Sequence, residues 1–419
     1  MKKMRTDIIN PVEWIQNHPD RDRIGTEYVN PSIPPGISTI TKRFHRQILG
    51  YRVSPLKGLD NLAAMLGLGG IWVKDESQRL ALNSFKVLGG SFAIYRYLQS
   101  RLGVQGREMS LAELTSPETK AKIGHLTFAA ATDGNHGRGV AWAARELGWK
   151  SIIYVHQATS PARIKAIEDY GAEVKIISGT YDDAVRLVNI DAEKNGWQVI
   201  SDTSWEGYEE IPAWVMQGYT TMFAEAQEEL SGQGIIKPTH VFVQAGVGAL
   251  AASLVGFYKG LFGSNAPVSA VVEPMKAACI FNSVKAGDGK PHYFEGELDT
   301  IMAGLACGDP SPIAWEILRD HADFFLSCPD YVAAKGMRVY GVPLRGDPFI
   351  VSGESGAVTL GALMYIMQNP ELRTLKKLLN LGQDSQVLLL NTEGNTDPFY
   401  FRQVVWEGSD PVPDKYRAI

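Results

Sequence analysis

The sequence predicts an α/β protein of two domains, each built on a parallel-type, twisted sheet flanked by helices. Three observations support this prediction. The chain has 419 residues, which is long for a single ordinary core. Short apolar runs of strand type alternate with helix-length segments between residues 126 and 200. A second series of such runs extends from residue 239 to residue 390, and strands separated by helices form parallel sheets from βαβ units.

The N-terminal part, 1–52, is predicted to be irregular, with a loop or arm at 30–36 where asparagine, prolines and glycine cluster. A short strand is predicted at 71–74 and a helix from Gly89 onward. The first series is predicted to have strands at 126–130, 151–155 and 173–177 and helices at 137–147, 161–170 and 182–195. Pro161 and the acidic pair Asp182-Asp183 favour these helix starts, because proline fits a first helical turn and acids favour its positive end.

The second series is predicted to have strands at 239–244, 268–273 and 386–390. An amphipathic helix at 214–230 would bridge the two halves, and a further helix is predicted at 357–367. Ligands of such folds bind at the carboxyl ends of the strands, so the site is expected between the domains.

Composition and charge argue against several classes of protein. The net charge of -5 and the pI near 6.0 disfavour a nucleic-acid or anionic-membrane partner. The basic N-terminus precedes no apolar stretch of signal type, and the apolar run 241–258 is interrupted by Gln244 and glycines, so neither a secretory signal nor a membrane span is predicted. Cys279, Cys307 and Cys328 show no metal-ligand or disulfide spacing and indicate a cytoplasmic protein, although a Cys279–Cys307 pairing stays open.

A single lysine stands out in Asn83-Ser84-Phe85-Lys86-Val87-Leu88-Gly89-Gly90, among apolar and small residues. Loss of hydration in such surroundings favours a neutral, nucleophilic amine. The alternative is a solvated lysine at the start of a helix.

The segment Thr132-Asp133-Gly134-Asn135-His136-Gly137 directly follows a predicted strand. A strand that ends in a tight polar turn before a helix directs backbone N–H groups to one place, which suits a carboxylate or a phosphate. The alternative is an ordinary turn with Asp133 as a helix cap. His136 is too isolated from other ligand-type residues to predict a metal site.

A glycine loop, Gly246-Val247-Gly248-Ala249-Leu250, follows the strand at 239–244 and predicts a phosphate site at a helix N-terminus. Gly246, Gly248 and Ala251 also match the dinucleotide fingerprint, and Glu273 ends the next strand, so this segment alone permits an NAD-dependent dehydrogenase. A fourth segment places Thr392 directly after the strand at 386–390, either as a site hydroxyl or as a plain strand-end cap.

Together, the lysine, the Asn-His-Gly loop, the glycine loop and the strand ending in threonine resemble the fold-type II pyridoxal-phosphate enzymes. That family includes serine and threonine dehydratases, threonine synthase and cysteine synthase, and the order of segments matches over most of the chain. The resemblance implies a tryptophan synthase β-like fold with pyridoxal 5'-phosphate as cofactor. It also implies a discontinuous large cofactor-binding domain, 1–88 and 206–419, and a small α/β domain, 89–205, that carries the substrate loop.

Within that family, Asp133, Asp202 and the ending Asn-Thr-Glu-Gly-Asn-Thr-Asp are most similar to the branch that acts on 2,3-diaminopropionate. The resemblance implies α,β-elimination of the D or L form, or both, to pyruvate and ammonia in amino-acid catabolism. It also implies a homodimer. One departure is that the loop reads Gly-Val-Gly-Ala, where dehydratases commonly have a run of glycines.

The resemblance implies roles for the matching residues. Lys86 would hold the cofactor as a Schiff base and then act as a base, Asn135 would donate to the phenolic oxygen, and Thr392 would face the pyridine nitrogen. A neutral hydroxyl there makes the ring a weaker electron sink, which suits prompt elimination. Backbone N–H groups would hold the phosphate at Gly246, Val247, Gly248, Ala249 and Leu250. Substrate contacts are implied at Thr132, Asp133, Gly134, His136 and Asp202.

The aspartates have a physical reason to be there. A β-ammonium group is a cation, and burying it without a partner is unfavourable, so a nearby carboxylate is expected. Asp133 and Asp202 are the candidates, and Asp133 is also a candidate base on the cofactor face opposite Lys86. For Asp202 the alternative is a turn or cap carboxylate. Glu354 either lines the cofactor site or caps the helix at 357–367.

Three other functions stay open at this point. A serine or threonine dehydratase would use the same segments. An NAD-dependent dehydrogenase would leave Lys86 and the 132–137 loop without a purpose. A non-catalytic binder of an amino acid or of a cofactor would not need the proton-transfer candidates Lys86, Asp133 and Asp202.

Overall fold

The computed structural model describes residues 12–17, 30–132 and 134–417. Its strands are β1 (Glu13–Gln16), β2 (Leu56–Gly58), β3 (Gly70–Asp75), β4 (Thr127–Thr132), β5 (Lys150–His156), β6 (Glu173–Ile177), β7 (Gln198–Val199), β8 (His240–Gln244), β9 (Val268–Pro274), β10 (Phe324–Cys328) and β11 (Gln386–Asn391).

The helices are α1 (Ile37–Arg46), α2 (Asp60–Leu66), α3 (Lys86–Arg101), α4 (Leu111–Thr115), α5 (Pro117–Ile123), α6 (Asn135–Glu146), α7 (Pro161–Glu168), α8 (Tyr181–Asn195), α9 (Glu210–Gly232), α10 (Ala249–Phe262), α11 (Cys279–Ala286), α12 (Pro312–His321), α13 (Asp330–Gly341), α14 (Glu354–Gln368), α15 (Arg373–Leu379) and α16 (Pro398–Val405).

The strands form two sheets. The smaller has the order β6-β5-β4-β7 and is parallel throughout. The larger has the order β1-β10-β9-β8-β11-β3-β2, with a parallel centre from β10 to β3 and antiparallel edge strands β1 and β2. The predicted α/β class is confirmed, and the prediction of parallel sheets is corrected at these two edges.

The central strands have the composition that burial on both faces requires. Every residue of β8 is buried, and so are all residues of β11 after Gln386. Strands covered by helices on both sides read as continuous apolar runs, and that is the pattern that predicted them. The helix-start signals also hold: Ser160 caps α7 before Pro161, and Thr180 forms a capping box with Asp183 at the start of α8.

Several elements lie where the sequence did not predict them. The N-terminal part, expected to be irregular, contains β1, β2, α1 and α2, and residues 1–11 and 18–29 lie outside the described part. The predictions also omitted β7, β10, α4, α5, α11, α12, α13, α15 and α16. Edge strands such as β1 and β2 are short and gain their pairing from distant partners, so their local sequence carries little strand signal.

The helix that carries Lys86 differs from its prediction in a way that matters for the site. It begins at Lys86 rather than Gly89, so the lysine occupies the first turn of α3. A side chain at Gly89 would collide with Tyr219, and one at Gly218 with the Leu88 carbonyl oxygen, so paired glycines let α3 and α9 approach closely. α3 packs on both α6 and α9.

Helix α9 was predicted to be amphipathic and to bridge the two halves; the amphipathic character is wrong, and the bridging stays a prediction. Residues 214–226 are all buried, and the helix packs on α1, α3 and α10. The strands of the smaller sheet all lie within 127–199, and the proposed division at 88/89 and 205/206 stays a prediction. Among the described residues, no helix combines the length and apolar character needed to cross a membrane.

Candidate active site

A cavity of about 720 Å³, counting its open mouth, lies beside the carboxyl ends of β4, β8 and β11. This is where parallel strands with glycine turns are expected to bind ligands. Its walls bring together the four chemistry-bearing segments, through Lys86, Thr132, Asn135, His136, Asp202, Gly246, Val247, Gly248, Ala249, Leu250 and Thr392.

At the N-terminus of α3, the Lys86 ammonium donates a hydrogen bond to Asp202 Oδ2. These residues are far apart in sequence, and Asp202 lies in the loop after β7. The Asp202 carboxylate is buried and also accepts from the Tyr181 hydroxyl at 3.0 Å. The interpretation of Asp202 as a turn or cap carboxylate is therefore wrong, because both of its oxygens bind side chains of the cavity wall.

The charges of this pair differ from what the sequence alone suggested. Burial favours the neutral amine of Lys86, but the Asp202 carboxylate outweighs it and raises the pKa of Lys86 above its ordinary value. Burial likewise opposes ionisation of Asp202, yet the Lys86 ammonium holds the pKa of that carboxyl well below its usual range. The expectation of a neutral amine took no account of this partner, which favours the ammonium form of the free Lys86 side chain.

His136 lies next to the same carboxylate. Its Nε2 contacts the Ile200 carbonyl oxygen at 2.8 Å, so Nε2 carries the proton, because a carbonyl oxygen only accepts. Its Nδ1 is 3.9 Å from Asp202 Oδ2 and has no hydrogen-bond partner among the described residues. Burial lowers the pKa of His136, which leaves Nδ1 able to accept a proton.

The turn after β4 was predicted to direct its N–H groups at an anion. Two of them are already used, because the N–H groups of Gly134 and Gly137 both donate to Thr132 Oγ1 at 2.9 Å. Gly134 is also not part of the cavity wall, so the predicted cradle is smaller than expected. Asp133 lies outside the described residues, and its predicted roles stay predictions.

Asn135 begins α6 and reaches across the cavity. Its Nδ2 donates to Glu393 Oε2 at 2.6 Å. The Glu393 carboxylate is buried and accepts also from the Ser355 N–H at 3.3 Å and the Thr396 hydroxyl at 3.2 Å. Glu393 therefore fixes the side-chain amide of Asn135 against the N-terminus of α14.

The glycine loop has the shape that a phosphate needs. A Cβ atom at Gly246 would lie 3.1 Å from Cys307 Sγ and 3.2 Å from Leu305 Cα, so a larger residue at this position would force its neighbours to shift. Gly248 has φ of 96° and precedes α10. The first N–H groups of a helix have no partner within it, so the turn offers donors to an anion.

The contacts of Glu273 contradict the alternative interpretation of this loop as a dinucleotide site. Its carboxylate is buried and accepts the N–H groups of Ile280 at 2.8 Å and Phe281 at 2.7 Å, at the start of α11. A carboxylate held in this way is a helix cap, so it has no oxygen directed at a ribose.

At the end of β11, the Thr392 hydroxyl lies within the cavity wall and is buried. Gln244, the last residue of β8, donates from Nε2 to Thr392 Oγ1 at 2.8 Å. Nearby, Glu354 is the first residue of α14 and is buried. Burial, and then the Glu393 carboxylate, raise the pKa of Glu354 to about 7.

Ten wall residues were not proposed as site residues from the sequence, and four of them carry large polar or charged side chains: Arg163, Tyr181, Gln244 and Glu393. Gln244 did carry a signal, since a polar residue ends an otherwise apolar strand. Glu393 directly follows Thr392, and the sequence analysis identified Thr392 as a site residue but not Glu393. Arg163 and Tyr181 lie in the first turns of α7 and α8, where nothing local marks them.

The cysteines and possible metal ligands complete the description. Cys279, Cys307 and Cys328 are buried, and none of the three is in a disulfide in this structure. In the described ranges, no three or more His, Cys, Asp or Glu side chains are grouped in a way that would bind a metal ion.

Comparison with known proteins agrees with this geometry. Residues 48–393 match the family model described as pyridoxal-phosphate dependent enzyme. A diaminopropionate ammonia-lyase from Escherichia coli is 47% identical over 374 residues, which cover 89% of this chain and 92% of that protein.

Solved structures give the same relationship. A crystal structure of diaminopropionate ammonia lyase from Escherichia coli in complex with D-serine is 43% identical, with a TM-score of 0.88, and the match covers 96% of this chain and 99% of that one. The same enzyme in complex with an aminoacrylate-PLP azomethine reaction intermediate is 42% identical, with a TM-score of 0.85 and coverage of 96% and 98%.

Proposed function

Because this chain belongs to the pyridoxal-phosphate dependent enzyme family, and within it to the diaminopropionate ammonia-lyases, we propose that it converts 2,3-diaminopropionate to pyruvate and ammonia. The observation that carries this proposal is the Lys86–Asp202 pair. An amine and a buried carboxylate line the same cavity as a glycine loop and a strand-end hydroxyl.

The residues present fit pyridoxal 5'-phosphate. Lys86 would supply the amine for its aldehyde, and the N–H groups of 246–250 would supply donors for its phosphate. Thr392 would donate to the ring nitrogen and Asn135 to the phenolic oxygen. These four contacts are proposals that rest on the position of each residue in one cavity wall.

When bound, the cofactor supplies electron withdrawal from the Cα of an attached amino acid, which eases loss of the Cα proton and of the β-substituent. The chain's own residues donate and accept the protons. Lys86 is charged in its pair with Asp202, so it must give up a proton before its amine can act as a nucleophile or base. Asp202 is the adjacent acceptor, and His136 Nδ1 lies 3.9 Å from Asp202 Oδ2.

Asp202 also fits the particular demand of this substrate. A β-ammonium group that enters a buried site needs a carboxylate partner, and Asp202 is a buried carboxylate that binds an ammonium group already, that of Lys86. With the Lys86 amine attached to the cofactor, the substrate ammonium would take its place at Asp202.

The preferred enantiomer depends on the second aspartate. We propose Asp133 as a base on the face opposite Lys86, which would let the enzyme use both the D and the L form. Asp133→Asn should then lower turnover of one enantiomer far more than that of the other. Equal losses for the two enantiomers would refute the two-face arrangement.

The experiment that tests the proposed function supplies 2,3-diaminopropionate and serine separately to purified enzyme and measures pyruvate. A clear preference for serine would assign the chain to the dehydratases instead. Borohydride reduction followed by peptide mass spectrometry should find the cofactor on Lys86, and cofactor attached to another lysine would refute the assignment of the amine.

We infer further that the enzyme is a cytoplasmic homodimer. The three buried thiols, none of them in a disulfide, support a reducing compartment, and the dimer rests on the family resemblance. Light scattering coupled to size-exclusion chromatography measures the oligomeric state, and a monomer mass would refute the dimer.

A further inference from the structure

A strained stretch of backbone leads into Lys86. Leu80, Ala81 and Asn83 have φ values of 49°, 59° and 54°, a left-handed conformation that residues with a Cβ atom rarely adopt. They make up three of the five non-glycine residues with positive φ in the described ranges. Such a conformation is unfavourable, so it persists only where the surrounding structure imposes it, and it is found mainly at functional sites.

An ion pair holds the chain on one side of this stretch. Arg79 is buried, and its Nε donates to Glu76 Oε2 at 2.7 Å while its Nη2 donates to Glu225 Oε2 at 2.6 Å. Its Nη1 donates to the Arg52 carbonyl oxygen at 3.0 Å. Burial opposes ionisation of Glu225, yet the Arg79 guanidinium holds the pKa of that carboxyl at about 2, so the pair is charged at neutral pH. Because Glu225 lies on the buried part of α9, the pair fixes the residue before Leu80 to that helix.

The end of β11 holds the chain on the other side. The Gly394 N–H donates to the Asn83 carbonyl oxygen at 2.9 Å, and the Phe85 N–H donates to the Thr392 carbonyl oxygen at 3.1 Å. Thr392 also lines the active-site cavity. The backbone between Arg79 and Phe85 is therefore fixed at both ends, and its second anchor is the strand end that carries the hydroxyl proposed for the ring nitrogen.

These contacts determine where the Lys86 amine can lie. Lys86 is the first residue of α3, and its backbone N–H donates to Ser84 Oγ at 3.3 Å, so a rotation of the backbone before it would move the start of the helix. The aldehyde that the amine must reach would be fixed independently, by the glycine loop at its phosphate and by Thr392 at its ring. A lysine side chain has many rotamers, so a backbone held in place lowers the entropy lost when amine and aldehyde meet.

We propose that Arg79 and Glu225 are positioning residues for Lys86: their ion pair holds residues 80–83 in the left-handed conformation, which places the Lys86 amine against the cofactor aldehyde. There the amine forms the C=N bond and water is released. Neither side chain belongs to the described wall of the active-site cavity, so both act through the backbone that leads into Lys86. This inference rests on the proposed function, because it takes Lys86 as the residue that bonds the cofactor.

The first test raises the backbone strain at a surface position. Ala81 is exposed, so Ala81→Val changes little packing, but a β-branched residue is strongly disfavoured at positive φ. The dissociation constant of pyridoxal phosphate is measured by absorbance titration of the apoenzyme, with Lys86 present and in Lys86→Ala. With Lys86 present it should rise by at least about 5-fold, and in Lys86→Ala by less than about 2-fold, because there no amine has to be positioned.

Asn380→Val is the matched control. Asn380 is also exposed, with φ of 55° at the end of α15, and it is not in the described wall of the active-site cavity. This variant should lose stability to urea as Ala81→Val does, while its dissociation constant for pyridoxal phosphate stays at the wild-type value. Equal losses of affinity for Ala81→Val with and without Lys86, or no loss in either protein, would overturn the positioning role.

A rescue experiment tests the ion pair. Arg79→Lys keeps the charge but removes the forked donors, so residues 80–83 relax and their strain must be restored when the cofactor binds. Affinity should fall by about 5- to 30-fold, equivalent to about 1–2 kcal/mol. Adding Ala81→Gly to Arg79→Lys should regain at least about 3-fold, because glycine adopts this φ without strain. A double variant that binds as weakly as Arg79→Lys would refute the role of the ion pair. Should Arg79→Lys fail to fold, Glu225→Gln, which has nearly the same shape as the wild-type side chain, takes its place.

These affinity measurements stay separate from the proposed function, since none of them needs turnover. A clear preference for serine over 2,3-diaminopropionate would refute the proposed function and leave the positioning of Lys86 standing. Cofactor fixed by borohydride to another lysine would overturn both.

Discussion

Gln244 Nε2 donates to Thr392 Oγ1 at 2.8 Å, and this contact determines how the hydroxyl can act. The same nitrogen lies 2.8 Å from the Ser355 carbonyl oxygen and 3.2 Å from that of Leu390, so its two hydrogens are shared among three acceptors, and these contacts fix the orientation of the amide. Since Thr392 accepts from Gln244, its own proton remains available. The hydroxyl can then donate to an unprotonated ring nitrogen of pyridoxal phosphate.

Thr392→Ala should therefore weaken pyridoxal-phosphate binding by about 2- to 10-fold, because one hydrogen bond contributes about 0.5–1.5 kcal/mol net. The dissociation constant is measured by absorbance titration of the apoenzyme. Thr392→Ser keeps the hydroxyl and should bind nearly as wild type. If the Thr392→Ser variant lost as much cofactor affinity as Thr392→Ala, the methyl group of Thr392 rather than its hydroxyl would be the important contact.

Asp202→Asn should make Lys86 reactive at lower pH. In the wild type the Asp202 carboxylate raises the pKa of Lys86 against the effect of burial. Without that charge burial dominates and lowers the pKa, so more of the amine is neutral at a given pH. The pH profile of cofactor recombination with the apoenzyme should shift to lower pH, while turnover falls by about 100- to 10,000-fold for loss of an acid–base group.

The conservative variant separates charge from shape at this position. Asp202→Glu keeps a carboxylate and should keep the midpoint of the recombination profile near that of wild type. A profile in Asp202→Asn that matched wild type would show that the ion pair does not control the protonation of Lys86.

Gly246→Ala should weaken cofactor binding without unfolding the protein. The added methyl group would lie 3.1 Å from Cys307 Sγ and 3.2 Å from Leu305 Cα, so the loop must shift. Overpacking of this kind amounts to about 1–3 kcal/mol, which corresponds to at least about 5-fold weaker binding if it displaces the phosphate donors.

Gly232→Ala is the matched control for this change, because nothing lies within 4 Å of an added methyl group at the end of α9. Its dissociation constant for pyridoxal phosphate should equal that of wild type. Unchanged affinity in Gly246→Ala would place the phosphate elsewhere in the cavity.

Stability should fall in acid through His45, which is fully buried between α1, α3 and α9. Its ring nitrogens contact Thr221 Oγ1 at 2.7 Å and the Leu88 carbonyl oxygen at 3.0 Å. Burial lowers the pKa of His45 from 6.5 to about 3. A depressed folded-state pKa means that its contribution is fully present above pH 6.5 and is lost as the pH falls toward 3.

Urea unfolding at a series of pH values measures this contribution. Below pH 6.5 the free energy of unfolding should decrease less steeply in His45→Gln than in wild type, by about 1.4 kcal/mol per pH unit for one proton. Identical slopes for the two proteins would show that His45 does not contribute to the acid sensitivity.

Much of the site was predictable because its signals are local. Lys86 is a lone cation among apolar residues. Gly246 and Gly248 form a turn between a strand and a helix, and Thr392 directly follows a buried strand. Each follows from residue type and spacing within about ten positions, which is the range over which periodicity and turn chemistry act. The central strands were predictable for the same reason.

The tertiary structure alone decided what depends on distant partners. Lys86 was expected to be neutral from its apolar surroundings, but Asp202, more than one hundred residues away in sequence, lies beside it and favours the charged form. Glu393 and Arg163 reach the cavity only through the packing of β11 and α7, and the edge strands β1 and β2 exist only through their pairing with β10 and β3. Charge state and edge pairing are set by neighbours in space, and the order of residues along a chain does not record those neighbours.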